Sequence, residues 1–325
     1  MSRKESNVSA AGRHVPCDHA SEPILCTGRV IANEFLCDEH LEMTLRLDAN
    51  AKPHVAGALP GQFLHVKPTA DNTGGGPECT TPLLRRAFSI SSLRESGDGL
   101  DVGLIYRVVG QATSWLGGLI PGDVVSVIGP LGQPFPVPDF DVALLVGGGV
   151  GLPPLIWLAE HLRSLNRECV VFYGAQKRSL LAMPLADTTV YPTDGAAAML
   201  SGPDRFSQSG AALVLSTDDG SLGFQGFAPQ ALEAYLDRES VVSARARIYT
   251  CGPEVMMRSV ANICRDRDIE GFFCMERAMA CGTGTCQSCV VEIADTQAVD
   301  GWRYSLCCTE GPVYSSNRLL WSVPA

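Results

Sequence analysis

Short segments in which apolar and polar residues alternate dominate residues 24–138 of the chain. The alternation is clearest at residues 41–47, 100–104 and 125–127. A period of two residues is typical of a β-strand that buries one face. Several such strands, with no convincing helical period between them, predict an antiparallel β-barrel in this part of the chain.

The pattern changes at Asp139, where continuous apolar runs begin to alternate with helical stretches. Uninterrupted apolar runs are typical of strands buried on both faces, as in a parallel sheet covered by helices. This part of the chain therefore predicts an α/β domain of the Rossmann-like kind. We predict strands at residues 142–146, 169–173, 211–215 and 246–250, and helices at residues 153–165, 229–239 and 253–267.

These changes of pattern predict a multi-domain protein of 325 residues. Hydrophobic residues make up 46% of the chain and charged residues 18%, which allows sizeable cores and excludes global disorder. The predicted segments are a disordered tail at residues 1–22, a β-barrel at 23–138, an α/β domain at 139–271 and a small C-terminal domain at 272–325.

Charge and hydropathy argue against two classes of partner. The formal net charge of −10 disfavours a nucleic-acid binder, which needs a basic face. The longest uncharged apolar stretch, residues 142–159, is interrupted by glycines and two prolines, so it predicts a strand, a turn and a helix rather than a membrane span. No apolar segment follows Arg3 and Lys4, so we expect no signal peptide and a cytoplasmic location.

Thirteen cysteines are the most informative feature of the composition. Their odd number, in a long chain without a signal peptide, is not typical of a secreted disulfide-bonded protein. Seven of them fall at or after Cys264. Clustered thiols in a reducing compartment predict metal ligation. Cys17 and His19, in the tail, are left without an assigned role.

Three of these cysteines have the spacing of an iron–sulfur site. Cys281, Cys286 and Cys289 follow the pattern C-x4-C-x2-C, and Cys307 and Cys308 lie downstream. This is the plant-type [2Fe–2S] pattern, and the two glycines in its first loop allow the backbone to bend around a cluster. A structural zinc site is the alternative, but it favours paired C-x2-C knuckles, of which there is one here. Local chemistry does not decide between Cys307 and Cys308 as the fourth ligand.

A second candidate site is the glycine-rich turn after the first strand of the α/β domain. A strand that runs into glycines and then a helix is typical of a phosphate-binding turn. The turn is not G-x-G-x-x-G, and no acidic residue follows the next strand, so a tight turn without a ligand explains the segment equally well. With the turn after the last apolar strand, the candidates are Gly147, Gly148, Gly149, Gly151, Cys251, Gly252 and Pro253.

A third candidate is the segment Leu83–Ser91 in the barrel. Here Arg86 offers a bidentate fork for a pyrophosphate, Phe88 can face a ring system, and Ser89 can donate to a ring nitrogen. Taken alone, the segment is also compatible with an ordinary polar strand.

Together and in this order, the three signals resemble the ferredoxin–NADP reductase superfamily, and more closely the electron-transfer subunits of NAD-dependent (class 1B) dihydroorotate dehydrogenase. The resemblance covers residues 24–316. Ala87 stands where the family usually has proline, Ala112 replaces a common glycine, and the loops at 67–82 and 181–210 are longer than expected. Its motifs are Arg86-x-x-Ser89, Ile105–Arg107, Gly110–Thr113, Gly129–Gly132, Gly147–Gly151, Thr217–Ser221, Cys251–Pro253, Met279–Gly282 and Cys308–Tyr314.

The resemblance implies three cofactors. FAD would be bound in the barrel, NAD at residues 147–151 and 251–253, and a [2Fe–2S] cluster by Cys281, Cys286, Cys289 and Cys308. The choice of Cys308 follows the family pattern, in which the last cysteine precedes a residue, an acidic residue and Gly-Pro. The implied FAD-binding residues are Arg86, Ala87, Phe88, Ser89, Ile105, Tyr106, Arg107, Gly110, Ala112 and Thr113.

The resemblance also implies an oxidoreductase subunit that relays electrons and has no substrate-converting residue of its own. Electrons would pass between NAD, FAD, the cluster and an FMN-containing dihydroorotate dehydrogenase catalytic subunit of pyrimidine biosynthesis, in a heterotetramer. The alternatives are the reductase component of an oxygenase or of a bifurcating complex, and a non-enzymatic metal-binding module. Cys281 favours the first interpretation over the bifurcating relatives, which tend to have aspartate there. NAD versus NADP stays open, because Lys177 and Arg178 could attract a 2′-phosphate.

Overall fold

A computed structural model describes residues 22–68, 84–97, 99–185, 191–196, 198–199, 206, 210–238 and 245–321 of the chain. Cys17 and His19, most of the predicted loop at 67–82 and parts of the segment at 181–210 lie outside these residues. None of the helices in the described part of the chain is long and apolar enough to cross a membrane.

The N-terminal domain is a closed barrel of six antiparallel strands in the order β1-β2-β5-β4-β3-β6. The three alternating segments bury their apolar residues inside it, which confirms the predicted barrel. Two short helices were not predicted, since neither is long enough to carry a helical period. The elements are β1 Ile24–Cys37, β2 His40–Leu47, α1 Lys52–Val55, β3 Phe63–Pro68, β4 Arg86–Ser96, β5 Gly99–Arg107, α2 Gln111–Gly117 and β6 Val124–Leu131.

The following domain is a largely parallel sheet between helices, as predicted. Its strands are ordered β11-β10-β8-β7-β12-β13-β16, with β9 paired to β10, and its two faces are covered by separate apolar cores. Its elements are β7 Val142–Gly148, α3 Leu152–Ser164, β8 Glu168–Ala175, β9 Ala198–Met199, β10 Ala212–Thr217, β11 Phe224–Gln225, α4 Ala228–Arg238, β12 Ala246–Cys251, α5 Glu254–Arg267, β13 Gly271–Cys274 and β16 Val313–Ser315.

The C-terminal segment is joined to this sheet rather than separate from it. The sequence-based boundary between residues 271 and 272 falls inside β13, and β16 returns to pair antiparallel with β13. Between them lies a hairpin of β14 Val290–Ala294 and β15 Trp302–Leu306. Cys289, Val291 and Ile293 share one apolar core with residues of α5, so the cysteine loop is held against the α/β domain.

Candidate functional site

A cavity of about 1050 Å³ opens where the barrel meets the α/β domain. It is formed by β4 and β5, the start of α2, and residues 274–279 after β13. Every FAD-binding residue implied by the resemblance lines it: Arg86, Ala87, Phe88, Ser89, Ile105, Tyr106, Arg107, Gly110, Ala112 and Thr113. Sequence reasoning missed the segment Cys274–Met279, because no motif links it to a flavin.

Arg86, the first residue of β4, and Arg85, which directly precedes it, differ in their surroundings. Arg85 is half-buried and donates to the His65 carbonyl at 3.2 Å and to the Ser126 carbonyl at 2.9 Å, and burial lowers its pKa. Arg86 is exposed at the cavity and donates to the Leu84 and Arg85 carbonyls at 3.0 and 3.1 Å. Arg86 is therefore the arginine placed to meet an anionic ligand, while Arg85 ties strands together.

An aromatic wall faces the same cavity. Phe88 and Tyr106 pack edge to face with their ring centroids 5.8 Å apart. The Tyr106 hydroxyl donates to Asn33 Oδ1 at 2.8 Å, and burial raises the pKa of Tyr106 to about 12, so the phenol stays neutral. Rigid aromatic side chains beside an exposed guanidinium suit a ligand with a planar ring and a pyrophosphate, as in FAD.

A second cavity, of about 870 Å³, lies at the carboxyl ends of the parallel strands. This edge is where open α/β sheets bind their ligands. Gly148, Gly149 and Pro253, three of the candidate nicotinamide-binding residues, line this cavity. Asp218, which follows β10 and belongs to the motif Thr217–Ser221, also lines it. So does Gln176 after β8, which the sequence analysis did not single out.

The other candidate glycines act in packing and are not among the residues that line this cavity. A Cβ atom on Gly151 would lie 2.1 Å from the carbonyl oxygen of Cys251, so the turn after β7 touches the turn after β12. A Cβ on Gly147 would meet Leu155 Cδ1 at 3.0 Å, and one on Gly252, where φ is +150°, would meet Met256 Cε at 2.8 Å. The absence of side chains at Gly151 and Gly252 therefore lets the two turns pack closely against each other beside the cavity.

The two cavities meet at three residues. Arg107, Val150 and Glu276 line both of them. Burial raises the pKa of the Glu276 carboxyl, while Arg107 forms an ion pair with Glu39 at 2.5 Å. A flavin ring in the first cavity and a nicotinamide in the second would therefore share walls.

Three of the predicted cluster cysteines, Cys281, Cys286 and Cys289, lie on the loop beside the first cavity, and Cys308 reaches the loop from the turn after β15. The four form two pairs. The thiols of Cys281 and Cys286 contact each other, as do those of Cys289 and Cys308. In a [2Fe–2S] cluster each iron takes two of the four thiolates, so two pairs are the arrangement that it needs. No three His, Cys, Asp or Glu side chains in the described residues converge as a site for a single metal ion.

Backbone amides of the loop point at the sulfur atoms. The N–H groups of Thr283 and Cys286 donate to Cys281 Sγ at 3.4 Å each, and Gly284 N–H donates to Cys308 Sγ at 3.2 Å. The amides of Cys286 and Thr283 lower the pKa of Cys281 to about 6, which favours its thiolate. Gly282 and Gly284, at φ values of +74° and +83°, give the loop its curvature. The donor set fits the cluster.

Cys307 points away from this loop. It is fully buried, and its thiol is directed at the Met275 carbonyl at 3.7 Å. Burial raises its pKa, which favours the neutral thiol. The structure thus distinguishes Cys307 from Cys308, which the local sequence alone could not do.

Comparisons with known proteins agree with this geometry. The iron-sulfur cluster binding domain of dihydroorotate dehydrogenase B matches residues 276–320. Among solved structures, one of an NADH-dependent reduced ferredoxin-NADP oxidoreductase covers 90% of each chain at 22% identity with a TM-score of 0.70. The cytochrome P450 reductase GcoB of Amycolatopsis covers 80% of this chain and 69% of its own at 21% identity, with a TM-score of 0.56. These likenesses confirm the fold of a barrel followed by an α/β domain.

Two curated relatives extend the similarity to most of the sequence. The dihydroorotate dehydrogenase B (NAD(+)) electron transfer subunit of Desulforamulus reducens is 35% identical over 267 residues, which are 81% of this chain and 87% of the relative. That of Bacillus mycoides is 32% identical over 259 residues, 78% of this chain and 84% of the relative. The chain therefore belongs to the family of dihydroorotate dehydrogenase B electron transfer subunits, which are flavo-iron-sulfur oxidoreductase components.

Proposed function

We propose that this chain carries electrons between NAD and the catalytic subunit of a dihydroorotate dehydrogenase, through FAD and a [2Fe–2S] cluster. The observation that carries the proposal is the contiguity of three sites in one chain. The flavin cavity shares Arg107, Val150 and Glu276 with the nicotinamide cavity, and its wall at residues 274–279 leads directly into the cysteine loop.

Each part of the site has a definite task in this relay. Bound FAD would supply the exchange between the two-electron chemistry of a nicotinamide and the one-electron chemistry of a cluster. Arg86 holds the anionic part of the cofactor, while Phe88 and Tyr106 orient its ring. Val150 and Arg107 line both cavities and so stand between the flavin and the nicotinamide. The loop amides around Cys281 and Cys308 favour thiolate ligands.

The charge at the second cavity supports NAD rather than NADP as the partner of this site. Asp218 lines the cavity, and its carboxylate would repel a 2′-phosphate. Neither Lys177 nor Arg178 is among the described residues that line it, and Lys177 pairs with Asp38 at 3.8 Å. Arg107, a basic residue that does line this cavity, lies where it adjoins the flavin cavity, and its charge is already paired with Glu39 at 2.5 Å.

We extend the proposal to the assembly. The catalytic partner would carry FMN and oxidise dihydroorotate, and two copies of each chain would form a heterotetramer. A cytoplasmic location is proposed from the many unpaired thiols, which suit a reducing compartment.

Co-expression with a candidate catalytic subunit tests the function. The purified complex should reduce NAD⁺ when dihydroorotate is added, and the catalytic subunit alone should not. The matched control is a complex carrying Cys308→Ser, which should oxidise dihydroorotate only with an artificial acceptor. A complex in which Cys308→Ser leaves NAD⁺ reduction unchanged would contradict the proposed route.

A further inference from the structure

His65 is a fully buried histidine whose ring has no assigned task. It lies on β3, between Ala87 of β4 and Ile128 of β6. Its side chain is 0% exposed, and neither ring nitrogen has a hydrogen-bond partner among the described residues. A buried polar group without a hydrogen-bond partner destabilises the fold, so an apolar side chain would serve the barrel better here. This cost calls for an explanation.

The ring faces the cysteine loop rather than the interior of the barrel. A Cβ atom on Gly282 would lie 2.6 Å from His65 Nδ1 and 3.1 Å from its Cε1. The ring also interacts with the backbone of Cys281 and Met279, although short of hydrogen-bond geometry. His65 therefore touches the loop at the residue that follows the first predicted cluster ligand.

The same residue is fixed to the flavin-binding strand. His65 pairs with Ala87, which lines the flavin cavity, and its carbonyl accepts a hydrogen bond from Arg85 Nη1 at 3.2 Å. The ring thus stands between the strand that would hold FAD and the loop that would hold the cluster. A hydrogen bond from the ring to the loop would set the position of one relative to the other.

We propose that His65 is a positioning residue of the cysteine loop, donating from Nδ1 to the backbone carbonyl of Cys281 when the cluster is bound. The inference rests on the proposed function only in that it needs the cluster. The carbonyl belongs to a ligand residue, and such outer partners orient ligands and tune the bound metal. Glycine at position 282 is required both by its φ of +74° and by the ring that lies against it.

Paired variants of His65 test the proposal. His65→Phe keeps a ring but removes the donor, while His65→Gln keeps an N–H donor. The matched control is His54→Phe on α1, since His54 is not among the residues near the loop. The readouts are iron per chain, the electron paramagnetic resonance spectrum of the reduced cluster, its midpoint potential, and the rate of iron loss to a chelator.

We expect His65→Phe to lose iron about tenfold faster and to shift the spectrum and the potential, because lost outer partners typically weaken metal binding tenfold or more. His65→Gln should restore most of the stability, and His54→Phe should resemble the wild type. FAD content and NADH-driven flavin reduction should stay normal in all three. A cluster in His65→Phe with unchanged spectrum, potential and iron loss would overturn the inference, while the proposed function would stand.

A second comparison applies even if His65→Phe does not fold. Gly282→Ala and Gly284→Ala carry similar backbone strain, but only the first places a methyl group against His65. The Cβ of Gly284→Ala would lie 3.2 Å from Thr309 Cγ2, a contact that a small shift of the threonine side chain relieves. We expect Gly282→Ala to lose iron faster than Gly284→Ala, with FAD retained in both. Equal rates of iron loss would show that the ring does not control the loop.

Discussion

Arg85 and Arg86 show how adjacent identical side chains take different tasks. Consecutive strand residues point to opposite faces, so only one of the two can face the cavity. The sequence motif identified Arg86. It did not identify the partners of Arg85, the half-buried Ser126 and the buried His65, because they lie on other strands, β6 and β3. The motif predicted the ligand-facing residue, and only the register of the barrel explains its neighbour.

Replacing Arg86 should remove FAD without unfolding the barrel. Loss of a charged hydrogen bond costs about 1.5–3 kcal/mol, which corresponds to a roughly ten- to hundredfold weaker affinity. Arg86→Ala protein should therefore be purified largely free of flavin, with a normal far-ultraviolet circular dichroism spectrum. Arg94→Ala is the control, because Arg94 is on the same strand but pairs with Glu160 at 2.7 Å. Full FAD occupancy in Arg86→Ala would refute the assignment.

Cys307 and Cys308 should differ sharply when each is changed to serine. The Cys307 thiol points at the Met275 carbonyl, where a hydroxyl can also donate, so Cys307→Ser should keep its cluster. Cys308→Ser removes a sulfur that accepts the Gly284 N–H and should lose or alter the cluster, with FAD retained. Absorbance and electron paramagnetic resonance spectra distinguish the two proteins. The reverse result would move the fourth ligand to Cys307.

Among the elements, the turn after β7 shows where motif interpretation is incomplete. The sequence correctly placed a strand, a glycine-rich turn and a helix, and two glycines of the turn line the second cavity, the proposed nicotinamide site. It could not show that Gly151 packs against Cys251, because that contact depends on the pairing of β7 with β12. Similarly, α5 was predicted, but its Val255 and Ser259 line the cavity rather than the core.

A methyl group at Gly151 should separate the two turns. The added Cβ would lie 2.1 Å from the Cys251 carbonyl oxygen. The neighbouring backbone must move to relieve this clash. Such overpacking costs about 1–3 kcal/mol, so Gly151→Ala should lower the urea midpoint of unfolding and weaken NADH binding. Gly57→Ala is the control, since nothing lies within 4 Å of its Cβ. Equal unfolding midpoints and NADH affinities in the two variants would contradict the packing role.

At the scale of the whole molecule, the order of the domains could be predicted from the sequence, whereas the contacts that connect them could not. The barrel and the sheet were predicted from the local period of apolar residues, and the cysteine loop from the spacing of its cysteines. The pairing of β16 with β13, and the core shared by Cys289 and Ile293 with α5, join residues far apart in sequence. Contacts of this kind produce no periodic pattern in the local sequence. They hold the cysteine loop next to the flavin cavity.

The cofactor content of the isolated chain follows from this arrangement. One flavin cavity and four paired cysteines predict one FAD and two irons per chain after anaerobic purification. Acid-released flavin identifies the nucleotide, and metal analysis counts the iron. Release of FMN, or zinc in place of iron, would contradict the assignment of the sites.

The proposed relay requires that electrons move from NADH through the flavin to the cluster within this one chain. Anaerobic addition of NADH to the isolated protein, followed by flavin absorbance and by the electron paramagnetic resonance of the cluster, tests it directly. We expect NADH to bleach the flavin and then to produce the reduced-cluster signal, and flavin-free Arg86→Ala to show neither change. A cluster that dithionite reduces, but that NADH never reduces in the FAD-loaded protein, would contradict the account.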